Sequence, residues 1–114
     1  MTEREHRLAE NEAAFRDVNE SLRYVASNAV DTVQTMRLIC ECGDGACAAF
    51  VGVTVAEYEA VRAVPTHFIV LPDHVASDIE RVVSSNERFA VVEKRPGEPA
   101  EIARETDPRD DPPA

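Results

Sequence analysis

The sequence predicts an α+β fold: a long N-terminal helix, a small antiparallel sheet with a cysteine-bearing β-hairpin, and two short helices. Three observations predict it. Apolar residues recur at helical steps near the start of the chain, at Leu8, Phe15, Val18, Leu22 and Val25. Short β-branched runs follow, bounded by Gly, Pro, Asn and Asp. All three cysteines fall between two of those runs, in Cys40-Glu41-Cys42-Gly43-Asp44-Gly45-Ala46-Cys47.

The first helix is expected over residues 3 to about 27. Asn11 fills an inner position of its apolar stripe, and Glu10, Glu12, Arg16, Asp17, Glu20 and Arg23 fall on the opposite faces. The stripe is read in two ways, as a face laid on the chain's own domain or as a dimerising or partner-binding face with Asn11 as a polar register mark. Ser27 to Thr32 has cap and turn chemistry and ends the helix. Arg37 to Cys40 and Ala48 to Val53 form an antiparallel hairpin with the cysteines at its tip. Thr54-Val55-Ala56-Glu57 is a capping box, opening a helix through about Ala63 with Val55, Tyr58, Val61 and Arg62 on one face. Pro65 stops it. His67 to Leu71 is a buried strand, Pro72-Asp73-His74 a turn, residues 75–85 a helix with Val75, Ile79, Val82 and Val83 inward, and Arg88 to Lys94 a strand. Pro96 to Pro99 breaks the pattern, and Ala100 to Glu105 has room for one or two helical turns. The organisation expected is therefore an amphipathic helix at 1–30, an α+β domain carrying the hairpin at 31–95, and an acidic, proline-rich disordered tail at 96–114.

Bulk properties bound the function. With 22 acidic and 12 basic residues the chain carries a formal charge of −10, which repels phosphate backbones and disfavours a nucleic-acid partner. No run approaches the roughly 18 apolar residues of a membrane span. Met1 to His6 is charged with no apolar segment after it, so no signal peptide is visible, and a reducing cytoplasm is expected. Phe and Tyr together number six and Trp is absent, so the core rests on Val, Ala, Leu and Ile, and a metal staple would strengthen it.

Clustered cysteines in a reducing compartment are metal ligands more often than disulfides. Cys40 and Cys42 alternate onto one strand face, Gly43 permits the bend that brings their sulfurs within about 4 Å for a tetrahedral zinc, and the Asp44-Gly45 turn returns Cys47 to the same point. A glycine after Cys42 also lets backbone N–H groups approach the thiolates. A fourth donor is needed, and His74, in its loop, leads His67 and His6, with Asp44, Glu41 or water as other ways to complete the site. Asp73 is placed to orient the His74 ring. The competing reading is three inert or redox thiols, with a Cys42–Cys47 disulfide sterically feasible and Cys40–Cys42 strained. Strand alternation turns Glu41 away from the sulfurs, which argues against it as a general base. No Ser-His-Asp signature, phosphate-binding glycine loop or His-Glu-x-x-His segment is present.

Several stretches resemble a family of small uncharacterised bacterial proteins, mainly actinobacterial, with a Cys-x-Cys-Gly-x-x-x-Cys motif. They are Asn11 to Glu20, Cys40-Glu41-Cys42-Gly43 with Cys47, Glu57 to Arg62, Pro65 to Phe68, His74, and Val91 to Lys94, and the likeness runs to about Asp107. In that family a histidine stands at the place of His74 and often an arginine at that of His67. The resemblance implies His74 as the ligand and implies no activity.

The expectation is a non-enzymatic cytoplasmic protein with a structural zinc on Cys40, Cys42, Cys47 and His74. It would act in a regulatory role through contact with another protein, or with itself, along the first helix. The alternatives are a zinc-dependent transcription regulator presenting Arg4, Arg7, Arg16 and Arg23, or a thiol-based redox or metal sensor.

Overall fold

In the computed structural model, which describes residues 1–26 and 35–109, the chain opens with a capping box. The Thr2 hydroxyl accepts the Glu5 N–H at 3.1 Å and the Glu5 carboxylate accepts the Thr2 N–H at 3.2 Å. The elements that follow are α1 (Glu3–Ala26), β1 (Thr35–Ile39), β2 (Phe50–Thr54), α2 (Val55–Arg62), β3 (His67–Val70), β4 (Glu80–Ser85), β5 (Ala90–Lys94) and α3 (Glu98–Glu105). The α+β class holds, with the strands divided between two antiparallel sheets, β1-β2 and β3-β5-β4. The cap and turn expected at Ser27 to Thr32 falls on residues 27–34, outside the described residues.

The core lies between the sheets and under α2, on Leu38, Val53, Tyr58, Phe68, Ile69 and Val92. No helix among the described residues is long and apolar enough to cross a membrane. The second capping box is present in full, with Thr54 Oγ1 accepting the Glu57 N–H at 3.1 Å and Glu57 Oε1 accepting the Thr54 N–H at 2.8 Å. The four residues expected on the inner face of α2, Val55, Tyr58, Val61 and Arg62, are the buried ones. Arg88 closes a fork on Glu57 at 2.9 and 2.6 Å. That fork, with the Thr54 N–H, holds the Glu57 carboxyl down to about 2. A depressed carboxyl stabilises the fold above its unfolded value near ~4.3 and loses that contribution as pH falls toward the folded value. Glu57→Ala should therefore cost about 1 kcal/mol at neutral pH. In urea titrations the gap from wild type should stay constant above pH ~5 and narrow as the pH falls from ~4 toward about 2.

Three expectations are corrected. The helix expected at residues 75–85 is instead a turn followed by strand β4. Positions 75, 79, 82 and 83 satisfy helical spacing, but Val82-Val83-Ser84-Ser85 is poor helix material, and β5 offers an open edge. A bulge between Val82 and Ser84 shifts the register; Val82 is exposed and Ile79 fully buried. The acidic segment from residue 96 is ordered through Arg109. Ala100 and Ala103 of α3 are buried, α3 packs against α1, the Asp107 carboxylate pairs with Arg62 in the interior, and Arg109 reaches Glu20 at 3.0 Å. Composition marked this stretch as a tail because its contacts are charged ones. Residues 110–114 lie outside the described residues.

The third correction concerns α1, which lies on its own domain by the face that reads as polar. Glu12, Arg16 and Asn19 are fully buried, while Val18 is 46 % and Val25 79 % exposed and Leu8 and Phe15 are half-buried. Each buried head finds a partner. Arg16 donates to the carbonyls of Pro65 at 2.7 Å and Ala103 at 2.8 Å and stacks 4.4 Å from the Phe68 ring. Glu12 and Glu80 grip Lys94 from two sides. Arg62 and the Tyr58 hydroxyl converge on Glu20 at 3.1 and 3.0 Å. Two of the arginines expected on a nucleic-acid face, Arg16 and Arg23, are thereby turned into the body, Arg23 onto Glu59 at 3.2 Å.

Candidate metal centre

The β1-β2 ladder ends at Ile39 opposite Phe50, and Cys40 adds one more bond, its N–H to the Ala49 carbonyl at 3.0 Å. The chain then leaves β2. The Glu41 N–H donates to the Ile69 carbonyl at 2.9 Å, so the cysteine segment runs onto the end of β3. Gly43, at φ +80°, makes the bend that an L side chain resists. Asp44 closes the next turn, its carbonyl accepting the Cys47 N–H and its side chain the Ala46 N–H, both at 2.9 Å. Beyond β3, Leu71-Pro72-Asp73-His74 is a tight turn with proline at its second position, closed by the His74 N–H on the Leu71 carbonyl at 2.9 Å.

These two turns bring the expected donors together. The three sulfurs and one His74 ring nitrogen lie within 4.8 Å of one another, and the four residues could hold a metal ion. His74 Nδ1 stands 3.6 Å from Cys40 Sγ and 3.5 Å from Cys47 Sγ. No disulfide joins the thiols; Cys40 and Cys42 are buried and Cys47 is half-exposed. The other candidates for fourth donor are engaged elsewhere. His67 pairs with Glu93 at 3.1 Å across the second sheet, and His6 pairs with Glu10 at 2.6 Å on α1. Glu41 points away from the sulfurs as alternation requires, accepting Asn19 Nδ2 at 2.7 Å and the Ile69 N–H at 3.0 Å. Asp73 is exposed and borders an open cleft of about 360 Å³ that runs past Cys42 and His74.

In the absence of a cation the surroundings hold Cys40 and Cys42 as neutral thiols. Burial pushes the Cys40 thiol up, against the Leu71 N–H that donates to its sulfur at 3.2 Å, and the neighbouring Cys42 pushes the same way as burial. Burial likewise raises Cys42, against the Asp44 N–H. Thiolates crowded this closely repel, and a bound dication reverses that balance while backbone N–H donors steady the sulfurs. Full burial pushes the Glu41 carboxyl up to about 7, against the Asn19 and Ile69 donors. Four protein donors are the number that a tetrahedral ion would take.

The reading of isolated residues missed the backing of the site. Asn11, expected as a register mark for a partner helix, donates to the Gly43 carbonyl at 2.9 Å, and Asn19 holds Ile39 and Glu41. No local signal marks either contact, since both span more than 15 residues. At Gly43 an added Cβ would meet the Leu8 carbonyl oxygen at 2.7 Å and Glu12 Cγ at 2.8 Å. Gly43→Ala should therefore destabilise the protein by about 1–3 kcal/mol, from positive φ and the clash with helix backbone together. Urea denaturation measures it, and Gly45→Ala, where a Cβ meets nothing within 4 Å, is the matched control. No protein-family model, curated protein or solved structure matches this chain.

Proposed function

We propose that the chain is a zinc protein whose metal is structural, held by Cys40 Sγ, Cys42 Sγ, Cys47 Sγ and His74 Nδ1. One observation carries the reading: the two S···N separations, 3.5 and 3.6 Å. Zinc with sulfur ligands at ~2.3 Å and an imidazole nitrogen at ~2.0–2.1 Å has tetrahedral S···N edges of about 3.5 Å. A set of three thiolates and one imidazole suits zinc, and the closed donor set supports a non-catalytic role. The work of such a domain is contact with another macromolecule. The outward face of α1, with Val18, Leu22 and Val25 exposed, supports a regulatory protein–protein contact, with another protein or a second copy, in the cytoplasm.

Native mass spectrometry of protein purified under reducing conditions tests this. One zinc per chain is expected, and it should be lost in Cys40→Ser and His74→Ala variants but kept in His67→Ala. Metal-free wild-type protein that takes up no zinc would defeat the reading. A second reading, a thiol-based sensor, is favoured by the half-exposure of Cys47 and His74, which opens one side of the site to small oxidants. Release of zinc by mild peroxide, restored by thiol reductant, would separate it from a purely structural centre.

A further inference from the structure

Successive residues of the cysteine segment face opposite ways. Cys40 and Cys42 send their sulfurs into the donor cluster. Ile39, Glu41 and Gly43, the residues between and beside them, meet α1. Asn19 accepts the Ile39 N–H at 2.8 Å and donates to the Ile39 carbonyl at 2.8 Å and the Glu41 carboxylate at 2.7 Å. Asn11 donates to the Gly43 carbonyl at 2.9 Å. At Gly43 the helix backbone itself is the neighbour, with the Leu8 carbonyl oxygen where a Cβ would stand. A segment with the candidate metal donors on one side thus carries the footholds of a helix on the other.

We propose that metal occupancy and the seating of α1 are coupled, with Asn11 and Asn19 as positioning residues for the metal centre. The proposal rests on the metal reading above. A cation drawing Cys40, Cys42, Cys47 and His74 together fixes the backbone of residues 39–43, and that backbone is the surface on which the middle of α1 rests. The helix is sensitive to its seat because its inner face is polar. Buried Asn19 and Glu12 are tolerated only with partners in place, and no broad apolar stripe holds the helix down regardless. Arg16, Glu20 and Glu12 hold α1 to other parts of the body through contacts that do not involve the cysteine segment. Metal loss therefore loosens α1 without dissolving the β3-β5-β4 sheet. Linkage makes the effect reciprocal: the factor by which metal favours the seated helix is the factor by which unseating the helix lowers metal affinity.

Hydrogen exchange on the full chain, zinc-loaded and chelator-stripped under reducing conditions, tests the first half. On stripping zinc, amides of α1 between Leu8 and Glu20 are expected to lose protection by a factor at least about 10-fold greater than those of β3 and β5, which follow only the fall in global stability. Equal α1 protection in both states, or loss of protection by the same factor in every element, overturns the proposal. Zinc competition with a chromophoric chelator tests the second half. Asn11→Ala and Asn19→Ala should each bind zinc about 10-fold more weakly, and Leu22→Ala, on the outer face, should bind as wild type. If Asn19→Ala does not fold, Asn11→Ala, which removes a single bond, decides alone. Wild-type affinity in the asparagine variants overturns the proposal. Failure of wild type to bind zinc at all defeats both the metal reading and the coupling, whereas tight binding with an unresponsive α1 defeats the coupling alone.

Discussion

Stripping zinc with a chelator is expected to lower the thermal midpoint by about 15 °C or more. The size follows from mass action: metal at about 1,000 times its dissociation constant stabilises the folded state by about 4 kcal/mol. In a domain of this length each kcal/mol is worth about 4 °C. Structural zinc binds small peptides with about 10–16 kcal/mol at neutral pH, so such an excess is readily reached. The direction follows from the site. Without a cation, Cys40, Cys42 and Cys47 revert to mutually close thiols, and the turn at residues 71–74 is tied to the hairpin tip by weaker contacts, the Leu71 N–H on Cys40 and the His74 ring against the Cys40 and Cys47 sulfurs. Differential scanning calorimetry with and without chelator, at fixed reductant, measures the shift. A midpoint that does not move would mean that the donor cluster contributes nothing to the fold.

Lys94→Met should be the most damaging substitution outside the donor cluster, costing about 3–5 kcal/mol. Lys94 Nζ is buried between the Glu12 and Glu80 carboxylates and lies 4.9 Å from the Phe68 ring centre. Burial already pushes the Glu12 carboxyl well above its usual range, with Lys94 as the main opposing influence and Glu80 adding to the rise. Removing the ammonium leaves two carboxyls in the interior with no cation. A raised carboxyl contributes stability that is complete below the unfolded value and is lost as pH rises through the folded one. The variant's deficit, read from urea midpoints, should therefore be larger at pH ~8 than at pH ~5. Glu12→Leu/Glu80→Leu/Lys94→Met, which removes all three charges, should cost far less than Lys94→Met alone, because no unpaired charge remains inside. A Lys94→Met deficit under about 1 kcal/mol would mean that the charges reach water.

What the sequence made legible was whatever chemistry acts over a few residues. Thr54 and Glu57 stand three apart, so their capping box and the buried face of α2 were readable. Cys40, Cys42 and Gly43 were readable for the same reason, since alternation and a positive-φ bend are local. His74 could be named from its place in a Pro-Asp-His turn after the third strand and from the family resemblance, and that turn is local, whereas its meeting with the cysteines also needs the Glu41 N–H on the Ile69 carbonyl. The face of α1 was not legible. Whether Arg16 is a surface or an interior residue depends on the carbonyls of Pro65 and Ala103, 49 and 87 positions away. Burial through pairing leaves no hydrophobic pattern to read. β4 was missed because its apolar positions fit a helix equally well, and the choice was made by the free edge of β5. The ordered end at residues 98–109 was hidden by proline and acid content, although Asp107 and Arg109 are held by Arg62 and Glu20.

The polar seam beneath α1 also bears on how the protein responds to temperature. The heat-capacity change of unfolding grows with apolar surface exposed and shrinks with polar surface exposed. A 24-residue helix seated through Glu12, Arg16, Asn19 and Glu20 adds less to that change than one seated on leucines. The stability curve of this chain is therefore flatter than its size implies, and cold should weaken it less than it weakens a domain of equal length with an oily helix interface.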